Sequence, residues 1–172
     1  MKRFLLLVFL VIFTKFYFSH GVTITSVTIK NKGYFVIKTI MATYYYQKDA
    51  GAFSRIMDRK NVDWIAHNTE NGQDASSEFR GLPSLSFSDS VGHPGFITCT
   101  SSQINNTSIH TISRDSLWEW QWDFSECQAS MTMLKTALRK SYSFMYNGPP
   151  NGRYGTTSYW GTDKLGFMPD FP

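Results

Sequence analysis

The clearest periodicity in the chain lies in SLWEWQWDFSEC, residues 116–127. Trp118, Trp120, Trp122 and Phe124 occupy every second position, with Glu119, Gln121 and Asp123 between them. Period two predicts a strand with one aromatic and one polar face; a helix would scatter the three indoles around its circumference. A second β pattern opens the chain. Residues 22–29, VTITSVTI, are rich in β-branched side chains and predict a strand. Asn31-Lys32-Gly33 supplies turn chemistry, with Gly33 able to take positive φ. Residues 34–46 then predict one longer strand. Phe35, Ile37, Met41 and Tyr45 share one face; Tyr34, Val36, Ile40, Ala42 and Tyr44 share the other, interrupted by Lys38. Apolar groups on both faces predict a central or sandwiched strand. Together the two segments predict a β-hairpin.

The middle of the chain is less regular. In residues 49–60, DAGAFSRIMDRK, Phe53, Ile56 and Met57 have the spacing of a short helix or an irregular excursion. Residues 61–65 suit a short strand carrying Trp64, and the polar run 67–78 a loop. Residues 82–87 alternate as an edge strand would, since Pro83 has no N–H to donate. Gly92-His93-Pro94-Gly95 suits a turn, residues 96–100 a strand bearing Cys99, and residues 108–112 its partner. After the tryptophan strand, Ser125 and Gln128 have capping-box spacing, and Met131, Leu134, Leu138 and Tyr142 form a stripe at helical spacing. These predict one long helix over about 126–146, ended by Asn147-Gly148-Pro149-Pro150. The tail, from 151, is Gly-rich and aromatic. The fold class expected is α+β or mainly β: an antiparallel sheet or sandwich with that helix and a folded tail.

The first residues change the picture of where this domain resides. Lys2 and Arg3 precede an unbroken apolar run at 4–13, and small residues follow at Ser19 and Gly21. This is the pattern of a cleaved secretory signal, residues 1–21, followed by a single domain over 22–172. Ten apolar residues reach roughly 15 Å as a helix, about half the hydrocarbon core, so no transmembrane segment is expected in the mature chain. The whole chain has 17 basic and 13 acidic residues, and three of the basic ones (Lys2, Arg3, Lys15) lie in the signal. The mature balance is 14 − 13, or +1. Nucleic acid is therefore not an expected partner, because phosphate binding needs clustered cations.

A secreted domain with two cysteines, Cys99 and Cys127, is expected to form one disulfide, worth roughly 3 kcal/mol if it closes a loop of this size. Asn105-Asn106-Thr107 and Asn106-Thr107-Ser108 are overlapping N-glycosylation acceptors, with room for one glycan.

Chemistry is sparse. The mature chain has His67, His93 and His110, without HExxH, Cys-His zinc spacing, a phosphate-binding glycine loop or a GxSxG elbow. No metal or cofactor is expected. His67 or His110 with Asp63 offers acid–base groups for a small hydrolase. Glu119 and Asp123, four apart on one strand face, lie roughly 13 Å apart, too far for a retaining glycosidase pair. The three tryptophans suit a core; if exposed, they suit a sugar platform or a lipid interface. Tyr154, Tyr159 and Trp160, set among small polar residues, are the preferred binding group.

The stretch VTIKNKGYFVIKTIMATYYY has a strand–turn–strand texture similar to the opening of secreted β-sandwich cytolysins of the actinoporin kind. That family also carries an amphipathic N-terminal helix that inserts into membrane. Here a strand starts almost at the predicted cleavage point, so the pore-forming element is missing and the chain is not assigned to the family. The function expected is non-catalytic binding at an extracellular or cell surface, to a glycan, lipid headgroup or protein. The alternatives are the small secreted hydrolase and a structural or interaction protein with no small-molecule site.

Overall fold

The structure is a computed structural model that describes residues 21–65, 81–87, 93–94, 98–136, 142–145, 159–162 and 166–169. Residues 1–20 of the predicted signal, the 67–78 loop and the segment from 146 to 158 lie outside the described residues.

The chain is mainly β. Four strands, β1 (Thr23–Ile29), β2 (Lys32–Lys38), β3 (Ala42–Gln47) and β4 (Ala52–Asp58), form an antiparallel meander in sequence order. β5 (Ser84–Phe87) follows. β6 (Cys99–Asn105), β7 (Ser108–Ser113), β8 (Glu119–Phe124) and β9 (Ala129–Lys135) form a second four-stranded antiparallel meander. β10 (Tyr142–Met145) pairs with β5, and β11 (Tyr159–Thr162) with β12 (Gly166–Pro169).

The first hairpin forms where the sequence places it, with a shifted turn. Ile29 pairs with Lys32, and the two residues between, Lys30 and Asn31, both have positive φ. That is the signature of a two-residue turn whose twist matches the flanking strands. Gly33 lies inside β2, opposite Thr28.

The long strand expected over 34–46 is two strands. The Thr39 hydroxyl accepts hydrogen bonds from Met41 and Ala42 N–H at 3.2 and 3.1 Å, and the Thr39 N–H reaches Ala42 O at 2.9 Å. A threonine side chain standing in for backbone reverses the chain without glycine or proline. The reversal resets which side chains face inward. Ile37 pairs with Tyr44 and Phe35 with Tyr46, and all four are buried.

The long helix expected over 126–146 is overturned: residues 129–135 are β9, residues 142–145 are β10, and no α-helix occurs among the described residues. Met131 and Met133 alternate with Ser130 and Thr132, pair with Trp122 and Trp120, and pack on the core. The apparent capping box closes a hairpin instead, with Ser125 N–H donating to Gln128 O at 2.8 Å. Residues 52–58, expected as a helix or excursion, are the strand β4, with Phe53 fully buried.

The two meanders share one core. Phe53 of β4 packs edge-on against Trp122 at 4.8 Å between ring centroids, and Tyr44 meets Phe124 at 5.6 Å. Such tilted aromatic pairs are favoured over flat sandwiches by the ring quadrupole. The β3–β4 turn seals one end of this core. Asp49 O accepts from Cys99 N at 2.7 Å, and Lys48 O from Ser101 Oγ at 2.7 Å. Gly51 sits in this turn at φ +65, where a Cβ would lie 2.7 Å from Trp120 Cζ2 and 2.9 Å from Cys99 Sγ. Both the backbone angle and the space call for glycine.

The cysteines are not joined. Cys99 is a buried free thiol and Cys127 an exposed one. Cys99 pairs with Ser113 at one end of the second meander, whereas Cys127 follows Phe124, which bonds to Thr107 at the other end. Six strand steps, roughly 20 Å, separate those ends. A disulfide needs Cα atoms within about 7 Å.

Candidate functional site

The tryptophan strand builds the interior. Trp120 is 0% exposed, and Trp118, Trp122 and Phe124 are each 4% exposed. A buried indole N–H is costly without a partner; Trp122 Nε1 has none among the described residues, whereas Trp120 has one in a directed chain. Trp120 Nε1 donates to Tyr46 Oη at 3.0 Å, and Tyr46 Oη lies 2.7 Å from Thr111 Oγ1. Thr111 Oγ1 lies 2.9 Å from Ser101 Oγ, which donates to Lys48 O. Ser101 has one proton and gives it to the carbonyl, so Thr111 donates to Ser101 and Tyr46 donates to Thr111. Every hydroxyl in the chain gives and receives once, the arrangement that makes a buried polar network stable. Burial raises the Tyr46 phenol above its usual range and pushes the Cys99 thiol up to about 12. Neither group is ionised near neutrality. The condition for Trp118, Trp120 and Trp122 to act as a binding platform, exposure, is not met.

The opposite face of β7 and β8 is polar. His110 Nε2 lies 2.7 Å from Glu119 Oε1, and both side chains are about one third exposed at 27% and 30%. Asp123 accepts from Ser108 Oγ and from Gln121 Nε2. Glu119 and Asp123 thus serve separate partners. Asp63 does not join His110: it belongs to the first meander, where Arg55 Nε reaches it at 2.8 Å and the Ile65 N–H at 3.1 Å. His93 is buried. Its Nδ1 accepts from Leu85 N–H at 3.2 Å, and its Nε2 lies 2.7 Å from Ala50 O, so Nε2 carries the proton. Burial lowers its pKa to about 4, against the Ala50 carbonyl, which favours the charged form. It ties the β3–β4 turn to β5 as a neutral group.

Large apolar side chains are exposed on β10 (Tyr142, Phe144 and Met145) and at one end of the first meander, where they stand on two successive connections. Ala42 pairs with Asp58, so the β2–β3 turn and the segment after β4 emerge side by side. Ile40 and Met41 in the turn are 42% and 45% exposed; Val62 and Trp64 in the segment are 49% and 52% exposed. These are large apolar groups held out toward solvent by ordered backbone. Asp58 does most of the ordering. Its carboxylate accepts from Lys60 N at 2.7 Å, Val62 N at 2.9 Å and Trp64 Nε1 at 3.1 Å. The hydrogen bond from the Val62 backbone is the first cause of its lowered pKa. Asn61 takes φ 60 to close the loop, a conformation asparagine tolerates. Lys38, Arg59 and Lys60 are exposed around these residues and form no ion pair among the described residues.

Of the other residues expected to act, His67 and Tyr154 lie outside the described residues. Tyr159 and Trp160 open β11, which pairs with β12. Asn105 and Asn106 are exposed at the β6–β7 turn. Asn105 Oδ1 accepts from Thr107 N at 2.7 Å and from Thr107 Oγ1 at 3.1 Å. Ser108, the hydroxyl residue of the second acceptor, is buried and committed to Asp123. Sequence reasoning missed the Ile40–Trp64 end because it placed Ile40 and Met41 inside a strand and Trp64 in another. The available signal was a polar break, Lys38-Thr39, between two apolar runs.

No family model, no curated protein and no solved structure matches this chain.

Proposed function

We propose that this chain is a secreted, non-catalytic binding protein that acts at an extracellular or cell surface. The observation that supports it is the end of the first meander, where Ile40, Met41, Val62 and Trp64 stand exposed on backbone fixed by Thr39 and Asp58. Clustered exposed apolar groups mark binding surfaces, and a pre-ordered loop loses little entropy when it docks. The test is binding of the labelled secreted protein to intact cells. Wild type is expected to bind saturably, and Met41→Ser with Trp64→Ser to lose at least tenfold in affinity while melting at an unchanged temperature. Equal binding by both proteins would overturn the reading.

A second reading rests on His110 and Glu119. A histidine held by a carboxylate is the core of acid–base hydrolysis, and Ser102 lies directly across from His110 on β6. Hydrolysis of ester or glycoside substrates, lost in His110→Ala, would favour this reading over binding alone.

A further inference from the structure

We infer that the Ile40–Trp64 end docks on a membrane surface rich in anionic lipid, an inference that rests on the binding function proposed above and names its target. Three features of this end converge on that chemistry. The first is the kind of apolar group. Ile40 and Met41 protrude from the β2–β3 turn, and Val62 and Trp64 from the chain that returns along the far edge of β4, where Met57 pairs with Asp63 and the Trp64 N–H bonds to Ile56 O. Exposed apolar tips of this kind suit shallow insertion into the headgroup boundary. Tryptophan is the side chain most suited to that depth, with an apolar ring and one polar N–H.

The second feature is charge. Lys38, Arg59 and Lys60 flank the apolar groups, and the carboxylates nearby are engaged. Asp58 is occupied by three N–H donors, and Asp63 by Arg55. The Asp58 carboxylate, held ionised by its donors, attracts Lys60; three cations against that one carboxylate leave a local positive excess, which an anionic surface favours. Each cation near such a surface strengthens binding about fivefold, and the effect decays within a Debye length. The mature chain has a net charge of only 14 − 13, so the attraction is local to this end and orients the molecule. The third feature is rigidity. Val62 and Trp64 are fixed by hydrogen bonds to Asp58, and the Met41 and Ala42 N–H groups by Thr39. A glycan or a small polar ligand would leave the protruding apolar groups in water, whereas a bilayer covers both the apolar tips and the cationic rim.

The test is sedimentation of the secreted protein with two kinds of vesicle, phosphatidylcholine alone and phosphatidylcholine with about one third phosphatidylserine. The expected result is binding to the second kind only, weakened by salt, with a blue shift of emission that Trp64→Phe abolishes. Arg59→Gln with Lys60→Gln should lower the partition coefficient about twenty-fivefold, two factors of about five. Met41→Ser should weaken it while leaving the Asp58 loop untouched, which separates lost contact from lost fold. Absence of binding to the anionic vesicles, or binding that none of these substitutions changes, overturns the inference. If cell binding still depends on Met41 and Trp64 while vesicles are ignored, the lipid target falls and the binding function stands with a protein partner. If cell binding is also independent of them, both fall.

Discussion

Single residues decide more in this molecule than their number suggests. Thr39 turns a run that looks like one strand into two and so resets which tyrosines face the core. Asp58 holds a loop open around an exposed tryptophan. His93 is the residue with the clearest consequence for stability. Its ordinary pKa is 6.5, and burial lowers it to about 4 in the folded state. Between those values the unfolded chain binds a proton that the folded chain excludes. Stability contributed by the neutral ring is therefore complete above about pH 6.5 and declines as pH falls toward 4, by at most about 3 kcal/mol. Denaturant melts of wild type at pH 7 and pH 4.5 should show this loss, and His93→Gln should show a smaller pH-dependent change. Equal slopes in the two proteins would mean that His93 is not buried as a neutral ring.

At the scale of elements, strict alternation was the reliable signal. The tryptophan strand and the first hairpin were legible because a period of two over six or more residues has no helical equivalent. β9 was not, because ASMTMLK satisfies two periods at once. Met131 and Leu134 fit a helix; Met131 and Met133 fit a strand. The choice was made outside the segment, by the open edge of β8 and by the indoles that Met131 and Met133 cover. The Ser125–Gln128 spacing gave no arbitration, since the same residues cap a helix or close a turn. β4 was misread for a similar reason: Phe53 and Ile56 both approach the core, but the strand is bulged opposite Tyr45 and Tyr46. The β6–β7 hairpin carries the prediction of this scale. Its turn brings the Thr107 hydroxyl and N–H onto Asn105, while the hydroxyl needed by Asn106 is buried at Ser108. Both contacts to Asn105 are local and can form before the sheet does. Expressed in a secretory host, the protein should carry one glycan, removed by Asn105→Gln and retained in Asn106→Gln, as read by mass. The reverse pattern would show that this turn does not govern the choice.

The whole molecule separates its aromatic residues by task. The indoles of β8 fill the space between two meanders, and one of them closes a hydrogen-bond chain running from Trp120 to Lys48. Among the residues whose burial is described, the exposed indole is Trp64, which belongs to the end that we assign to the partner. The alternation in β8 showed that its three rings share a face; it did not show which side of the sheet that face would meet. That depended on Phe53, Tyr44 and Tyr46 arriving from the other meander, a long-range outcome beyond any local pattern. The exposure of Trp64 was equally hidden, because it follows from the return of the chain along the open edge of β4, where the Trp64 N–H bonds to Ile56 O.

The most direct measurement of this division is acrylamide quenching of tryptophan emission in a Trp160→Phe background, with and without Trp64→Phe. Four tryptophans remain in the first protein and three in the second. A red, readily quenched component should vanish with Trp64, leaving a blue emission that acrylamide scarcely reaches. A large quenchable component surviving without Trp64 would place the β8 indoles at the surface, and would contradict both the shared core and the assignment of the binding end.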